Sequence, residues 1–268
     1  MASENWVLVE HHEGKVKGAG ELVGAARALG GAAVVGVLLA AEAGPLVEQL
    51  GGLGLSRVLV AEHPQLGRYT PDGYARVLEQ LVSARTPQTL LFGHTPTGYD
   101  VAPKLAVRLD RPLVSEVTKL SLADGALTAE RPLFGGKLVS RVRTKGQPTW
   151  LVTVQGGAYP AVAGEGGAPP VEAVPVDLDP AAIRWQLQPF RTQAKGAIDL
   201  AEASVVVSGG RGLGDADAFR EVIGELVEAI PGAAMGASRS RGGRSQFPVV
   251  LGAAVRPARR ARFEILGE

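Results

Sequence analysis

The sequence predicts an α/β fold: an N-terminal parallel-sheet domain with a β-rich extension, followed by an incomplete doubly wound α/β domain. Three observations predict it. Through the first 110 residues, apolar runs without polar alternation are separated by helical patterns, as in a parallel sheet covered on both faces. Between residues 113 and 154 the apolar runs follow one another across turns, and the helices drop out. From Ser204 a strand, a glycine turn and an amphipathic helix begin the α/β pattern afresh.

Taken in order, Trp6 to Val9 reads as a strand, Gly20 to Leu29 as an Ala-rich helix and Ala33 to Leu39 as a strand. Leu46 to Leu50 is a short helix and Arg57 to Val60 a strand; Asp72 to Ala84 is a helix capped near Thr70 and Pro71. Thr89 to Phe92 is the next strand, and Thr97 to Leu109 a helix capped by the Thr97 hydroxyl that must tolerate Pro103 near its first turn. The extension reads as strands at Leu113 to Leu120, Ala126 to Glu130, Lys137 to Arg143 and Thr149 to Val154, with Asp124-Gly125 as a hairpin signal. Residues 155–170 (QGGAYPAVAGEGGAPP) read as a long loop, Val171 to Val176 as a further strand and Arg191 to Gly196 as a linker. The division that follows is residues 1–195 and 196–268, with an atypical Arg-rich tail from about 240.

Composition narrows the function classes. The chain has 268 residues, 46% hydrophobic and 21% charged, which excludes global disorder and suits two domains. It has no cysteine, so disulfides, thiol nucleophiles and cysteine-held zinc or iron–sulfur centres are excluded. A net charge of +1, without a basic cluster in the first 230 residues, argues against nucleic acid as the partner. The longest apolar run, Ala32 to Ala41, has ten residues and falls short of the ~20 that a membrane helix needs. The opening MASENWVLVEHHEG lacks the basic-then-apolar build of a secretory signal, so the expected location is cytoplasmic, without direct membrane insertion. The excess of Arg over Lys, 21 against 7, reads as the mark of a GC-rich genome.

The segment that points to chemistry is SVVVSGGRGLGDADAFREVIGELVEAI, from Ser204 to Ile230. Glycines let backbone amides approach an anion, a helix N-terminus adds partial positive charge, and Arg211 adds a full one with geometry suited to phosphate. The spacing is G-G-R-G-x-G, which is neither the dinucleotide fingerprint nor a P-loop. Such a turn serves plain sheet packing as readily as phosphate. A second turn at the next strand, Ala233 to Arg239, again ends in small residues, a hydroxyl and a guanidinium. In a parallel sheet both turns sit on the same edge, where open α/β sheets bind ligands.

VVVSGGRGLG at 205–214 followed by MGASR at 235–239 resembles the start of the FAD-binding domain of electron transfer flavoprotein α subunits. The resemblance runs over residues 4–239 and includes RPLVSEVTKL, the ERPLFGGKLVSRV hairpin and the VTVQGGAYP edge. It implies the larger subunit of a heterodimer with a β subunit. Such a subunit carries FAD and passes electrons from acyl-CoA-type dehydrogenases towards a membrane quinone reductase: an electron carrier rather than an enzyme. Carried over, Gly209, Gly210, Arg211 and Gly212 match the first FAD-binding turn, Ser238 the serine on the pyrophosphate side, and Arg239 the arginine against the flavin ring. A guanidinium there favours a negatively charged reduced flavin by direct compensation.

The sequence departs from the family pattern after Arg239. The family's later A-V-D-A-G helix, Q-V-G-Q-T-G loop and G-I-S-G-A-I-Q-H turn have no counterpart in SRGGRSQFPVVLGAAVRPARRARFEILGE. Residues 240–268 carry six Arg, no Lys and two Glu, a net +4 against −3 on the first 239. That shift reads as out-of-frame translation of GC-rich DNA, leaving a truncated or frameshifted C-terminus.

Other candidates are weaker. Glu10-His11-His12-Glu13 alternates along an extended segment, cannot converge on a metal, and reads as a solvated strand end. The Gly93–Gly98 turn could hold a phosphate in isolation, but the resemblance implies that the first domain is scaffold. Ser115 and Ser208 lack a nucleophile elbow and His63 sits before Pro64, so a Ser–His–acid hydrolase is not expected. Three readings stand: an FAD-bearing electron carrier, a nucleotide-binding (NAD-type) enzyme on the same sheet, and an FAD-deficient, interaction-only form of the subunit.

Overall fold

The computed structural model describes residues 4–187 except 147, 165 and 186, and, further on, 205–210, 213, 216–237 and 265–266. The chain divides into two units, Met1–Leu187 and Gln188–Glu268.

The first unit is built on β1 (Glu4–His12), the middle of a parallel sheet. β3 (Ala33–Ala40) and then β4 (Arg57–Glu62) lie on one side of it, with β11 (Val171–Ala173) at that edge. β5 (Thr89–Gly93), β10 (Trp150–Val154) and β6 (Leu113–Val117) lie on the other. The short β2 (Lys15–Lys17) adds antiparallel to the end of β1. Along β1, Trp6 and Leu8 enter one core, whereas Val7 and Val9 enter another on the opposite face. Burial on both faces is why the strand reads as an unbroken apolar run.

Helices α1 (Ala19–Ala28) and α2 (Gly44–Glu48) cover the Val7 face; α3 (Pro71–Arg85) and α4 (Pro96–Leu109) cover the Trp6 face. α3 starts after Thr70 with Pro71 at its first position. α4 is capped by Thr95, whose hydroxyl accepts from Gly98 N–H at 3.0 Å, and not by Thr97. Pro96 accounts for the difference: it occupies the first helical position, where its missing N–H costs nothing, so the cap falls on the residue before it. Pro103 accordingly lies inside the helix rather than near its start.

The Gly/Pro-rich stretch 155–170 is a strap laid on α1. A Cβ on Gly24 would stand 2.5 Å from the Pro160 carbonyl oxygen, and one on Gly20 2.7 Å from that of Val162. Val162 N–H donates to the Gly20 carbonyl at 3.0 Å, so two helical glycines admit another backbone onto the helix. The edge strand β11 is tied in by charge: Arg57 reaches Glu4 at 2.7 Å and Glu172 at 2.9 Å.

The stretch predicted as one strand, Leu113 to Leu120, divides at Thr118, just past an irregularity of β6 at Glu116, which has φ +58°. β6 stays in the parallel sheet, while β7 (Lys119–Ala123), β8 (Ala126–Leu133) and β9 (Leu138–Arg143) form a separate antiparallel sheet, the arm of this unit. Asp124 and Gly125, both at positive φ, close the first of its hairpins.

In the second unit β12 (Val205–Gly209) pairs in parallel with β13 (Ala233–Ala237) and with the two-residue β14 (Ile265–Leu266). α5 (Ala216–Ala229) connects β12 to β13. Among the described residues no helix is long and apolar enough to cross a membrane.

Candidate functional site

The register of β12 on β13 runs from Val205–Ala233 to Gly209–Ala237, so both strands end side by side at one edge. The chain leaves β12 through Gly210 and leaves β13 directly before Ser238. Phe219 and Ile223 of α5 are fully buried against Val207 and Ala233, which fixes the helix over the two strands.

Gly209 and Gly210, adjacent and alike in sequence, sit in different surroundings. A Cβ on Gly209 would stand 2.7 Å from Phe219 Cε2 and 3.1 Å from Ile223 Cγ1, and would also meet the Leu213 side chain. Gly209 is therefore required by the close packing of α5 on β12. Among the described residues, a Cβ on Gly210 would meet nothing within 4 Å. Among the described residues, the end of β12 is therefore tight at Gly209 and open at Gly210. Arg211, Gly212, Ser238 and Arg239 lie outside the described residues. In the first turn of α5, Asp217 pairs with Arg220 at 3.2 Å.

The first unit has a comparable edge, and here the sequence reading missed a residue. β1 lies between β3, reached early in the chain, and β5, reached after β4 and α3; at such a switch of direction a crevice opens at the carboxyl ends of the strands. Glu10 stands at that place. It is not a solvated strand end: it is largely buried, and its carboxylate accepts from the Thr95 hydroxyl at 2.8 Å. Burial pushes its carboxyl up to about 7, although the Thr95 hydrogen bond works the other way. The buried Tyr74 hydroxyl donates to the Leu39 carbonyl at 3.2 Å, and a His11 ring nitrogen lies 2.9 Å from the same oxygen. His94 Nδ1 meets the Thr153 hydroxyl at 2.9 Å. The signal was present, since Trp6, Leu8 and Glu10 share a strand face whose first two members are core. Only His12 and Glu13, more than half exposed, fit a solvated end.

Two family models match the chain: the electron transfer flavoprotein domain over residues 5–179 and the electron transfer flavoprotein FAD-binding domain over residues 199–248. The second match extends past Arg239, where the sequence departs from the family pattern. The electron transfer flavoprotein subunit alpha of Bacillus subtilis is 33% identical over 242 residues, covering 89% of this chain and 73% of that protein. The subunit of the same name from Mycobacterium tuberculosis H37Rv is 35% identical, covering 92% of this chain and 76% of its own length. The acryloyl-CoA reductase electron transfer subunit beta of Anaerotignum propionicum is 29% identical over 267 residues.

Proposed function

The chain belongs to the electron transfer flavoprotein family, among its α subunits, and from that premise we propose that it is an electron carrier holding FAD at the β12–β13 edge. The observation that carries the reading is the register of the two strands, which ends β12 and β13 side by side, with nothing among the described residues within 4 Å of a Cβ at Gly210. The residues suit the pyrophosphate of FAD. Gly210 lets the backbone come close, Arg211 and the N-terminal end of α5 favour negative charge, and Ser238 follows the end of β13 as a hydroxyl donor. Arg239, the next residue in the sequence, is the cation for the flavin ring. The bound FAD supplies the redox chemistry, and the protein supplies the electrostatics that set how readily it is reduced.

The partners of this reading are a β-type subunit, acyl-CoA-type dehydrogenases as donors and a quinone reductase as acceptor, and the location is cytoplasmic. The first unit is scaffold and partner contact. Its own switch-point edge is occupied by Glu10, which supports leaving the cofactor to the second unit.

The test is purification of the chain co-expressed with a β-type subunit. A flavin spectrum that persists through gel filtration is expected, with fluorescence titration showing preference for FAD over NAD. Preference for NAD would favour the nucleotide-binding enzyme. A heterodimer without flavin would favour the interaction-only form and move the cofactor elsewhere.

A further inference from the structure

Residues 171–184, near the end of the first unit, run back along α3 and are held by polar contacts at three places. Where α3 ends, Glu172 of β11 meets Arg85 at 2.5 Å and Arg57 at 2.9 Å. Midway, the Gln80 side-chain amide donates to the Asp177 carbonyl at 2.7 Å. Where α3 begins, Arg184 reaches Asp72 Oδ2 at 3.4 Å through both its backbone N–H and its Nε, while Lys104 of α4 holds Oδ1 at 2.9 Å. Burial pushes the Asp72 carboxyl up, but these hydrogen bonds hold it below its ordinary value, so it keeps its charge.

The two ends are unequal. β11 is fixed by its ladder: Val58 N–H donates to the Pro170 carbonyl at 2.8 Å, Val174 N–H to the Val60 carbonyl at 2.9 Å, and Val174 is core. Past Val176, Leu178 and Ile183 are the side chains that reach the core, and the Arg184 side chain is 82% exposed. The packing beneath them has a fault. The Thr70 hydroxyl, Ile183 and Leu178 converge on Gly73, where a Cβ would lie 2.7, 3.5 and 3.8 Å from them. Thr70 is buried at the N-cap of α3, yet its Oγ1 makes no capping bond and has no partner among the described residues. A buried hydroxyl without a partner carries a desolvation cost that entering water removes. Closing over Thr70 therefore carries a cost at the end where the segment is held least.

We infer that residues 177–184 are a flap hinged behind β11, with Asp72 as its catch, that opens ahead of the rest of the first unit. Opening lets water reach Thr70 and moves the point where the chain leaves its seat on α3 from Arg184 back to Val176. Local opening falls to segments with few buried apolar contacts and solvent-exposed bonds, which describes 177–184 and not β11. The exposed Arg184–Asp72 contact is screened by salt. The tighter Lys104–Asp72 pair joins α4 to α3 and holds the catch in place whether the flap is open or shut.

The chain has no cysteine, so one introduced thiol reports opening. In the full chain, thiol-reagent labelling of Leu178→Cys reads the flap and that of Val174→Cys reads β11; both positions are buried alike, at 6% and 7% exposed. Under native conditions Leu178→Cys should label at least about tenfold faster. Ile183→Cys gives the same reading should Leu178→Cys destabilise the unit. Adding Arg184→Gln, a change at an exposed side chain, should speed labelling at 178 several-fold and leave 174 unchanged. Raising salt from ~0.05 M to ~0.5 M should have the same effect, and none once Arg184→Gln is present. Thr70→Val removes the orphaned hydroxyl but keeps the shape, and should slow labelling at 178 several-fold; a hydroxyl acting as a helix cap would give the reverse and overturn its part in the device. Equal rates at 178 and 174 that change together would show one global opening and overturn the flap. A rate at 178 indifferent to Arg184→Gln and to salt would overturn Asp72 as its catch.

Discussion

Two turns of this chain share a plan, strand then glycine then helix, and end as opposites. At β5–α4 the turn is full: Gly98 lies tight against the Gly93 carbonyl, Thr95 caps the helix, and the Glu10 carboxylate from the neighbouring strand stands at that end. At β12–α5 the tight glycine is Gly209, pressed by Phe219 and Ile223, and the next residue, Gly210, meets nothing within 4 Å among the described residues. The difference teaches that the same strand–glycine–helix plan can be filled by a side chain of the protein at one edge and, among the described residues, left unfilled at another. A buried carboxylate converts the first turn into scaffold.

The comparison breaks most sharply at Gly98. A valine there would drive its Cβ into the Gly93 carbonyl and against Phe92 Cβ at 3.3 Å, with backbone on one side and core on the other. The expected loss is about 3–4 kcal/mol, which for a unit of this size lowers the melting temperature by roughly 10 °C. Thermal melting of Gly98→Val checks it, and an unchanged transition would show that the turn has slack.

The next test is pH. The Glu10 carboxyl titrates near 7 in the folded chain against an ordinary value of 4.5, so the folded form holds its proton more tightly. Stability from this group is full below about pH 4.5 and is lost as pH rises through 7, by at most about 3 kcal/mol. Facing it are the Tyr69 and Tyr74 hydroxyls, whose own ionisation is pushed up by burial, and the Thr95 hydroxyl. Glu10→Gln should therefore stabilise the chain at pH 8, change little at pH 4.5, and flatten the slope between them in denaturant titrations. Parallel slopes for variant and wild type would mean that water reaches Glu10.

These two residues also mark what the sequence could tell. The unbroken apolar run of β1 was readable because both of its faces are buried. Its continuation is not, since a carboxylate reads as polar whichever face it takes; the sequence ends the strand at Val9, whereas it runs to His12. The division of this sheet's last stretch, Leu113 to Leu120, after Val117 is not legible, because the irregularity that precedes it, a positive φ at Glu116, leaves no mark in composition at a residue other than glycine. Residues 155–170 read correctly as irregular, but helical Gly20 and Gly24 look like weak points until the strap is seen lying on them. In the second unit the strand and the helix are legible in the sequence. What sequence could not separate was Gly209 from Gly210, one needed for packing and the other open, because that distinction belongs to Phe219 and Ile223 across the core.

A smaller effect is expected from Arg239→Ala. Removing a cation from the flavin leaves the pyrophosphate contacts in place and disfavours the reduced, negatively charged form by about 1–2 kcal/mol. For a two-electron couple that lowers the midpoint potential by roughly 20–45 mV. FAD retention should be unchanged. A potential identical to wild type would place Arg239 away from the ring.

The finest test separates the two adjacent glycines. Gly209→Ala puts a methyl against Phe219 and Ile223 and should destabilise the second unit by about 1–3 kcal/mol, with FAD lost only as a consequence of unfolding. Gly210→Ala meets no atom within 4 Å among the described residues and its φ is not positive, so the fold should change by less than about 0.5 kcal/mol, if anything upward from reduced freedom in the unfolded chain. If FAD approaches the backbone there, the same methyl stands in its path and affinity should fall about tenfold without any change in melting of the apoprotein. The two variants thus exchange phenotypes, one losing fold and the other losing ligand. Equal FAD affinity in Gly210→Ala and wild type would move the pyrophosphate off this turn and leave the β13 end as its seat.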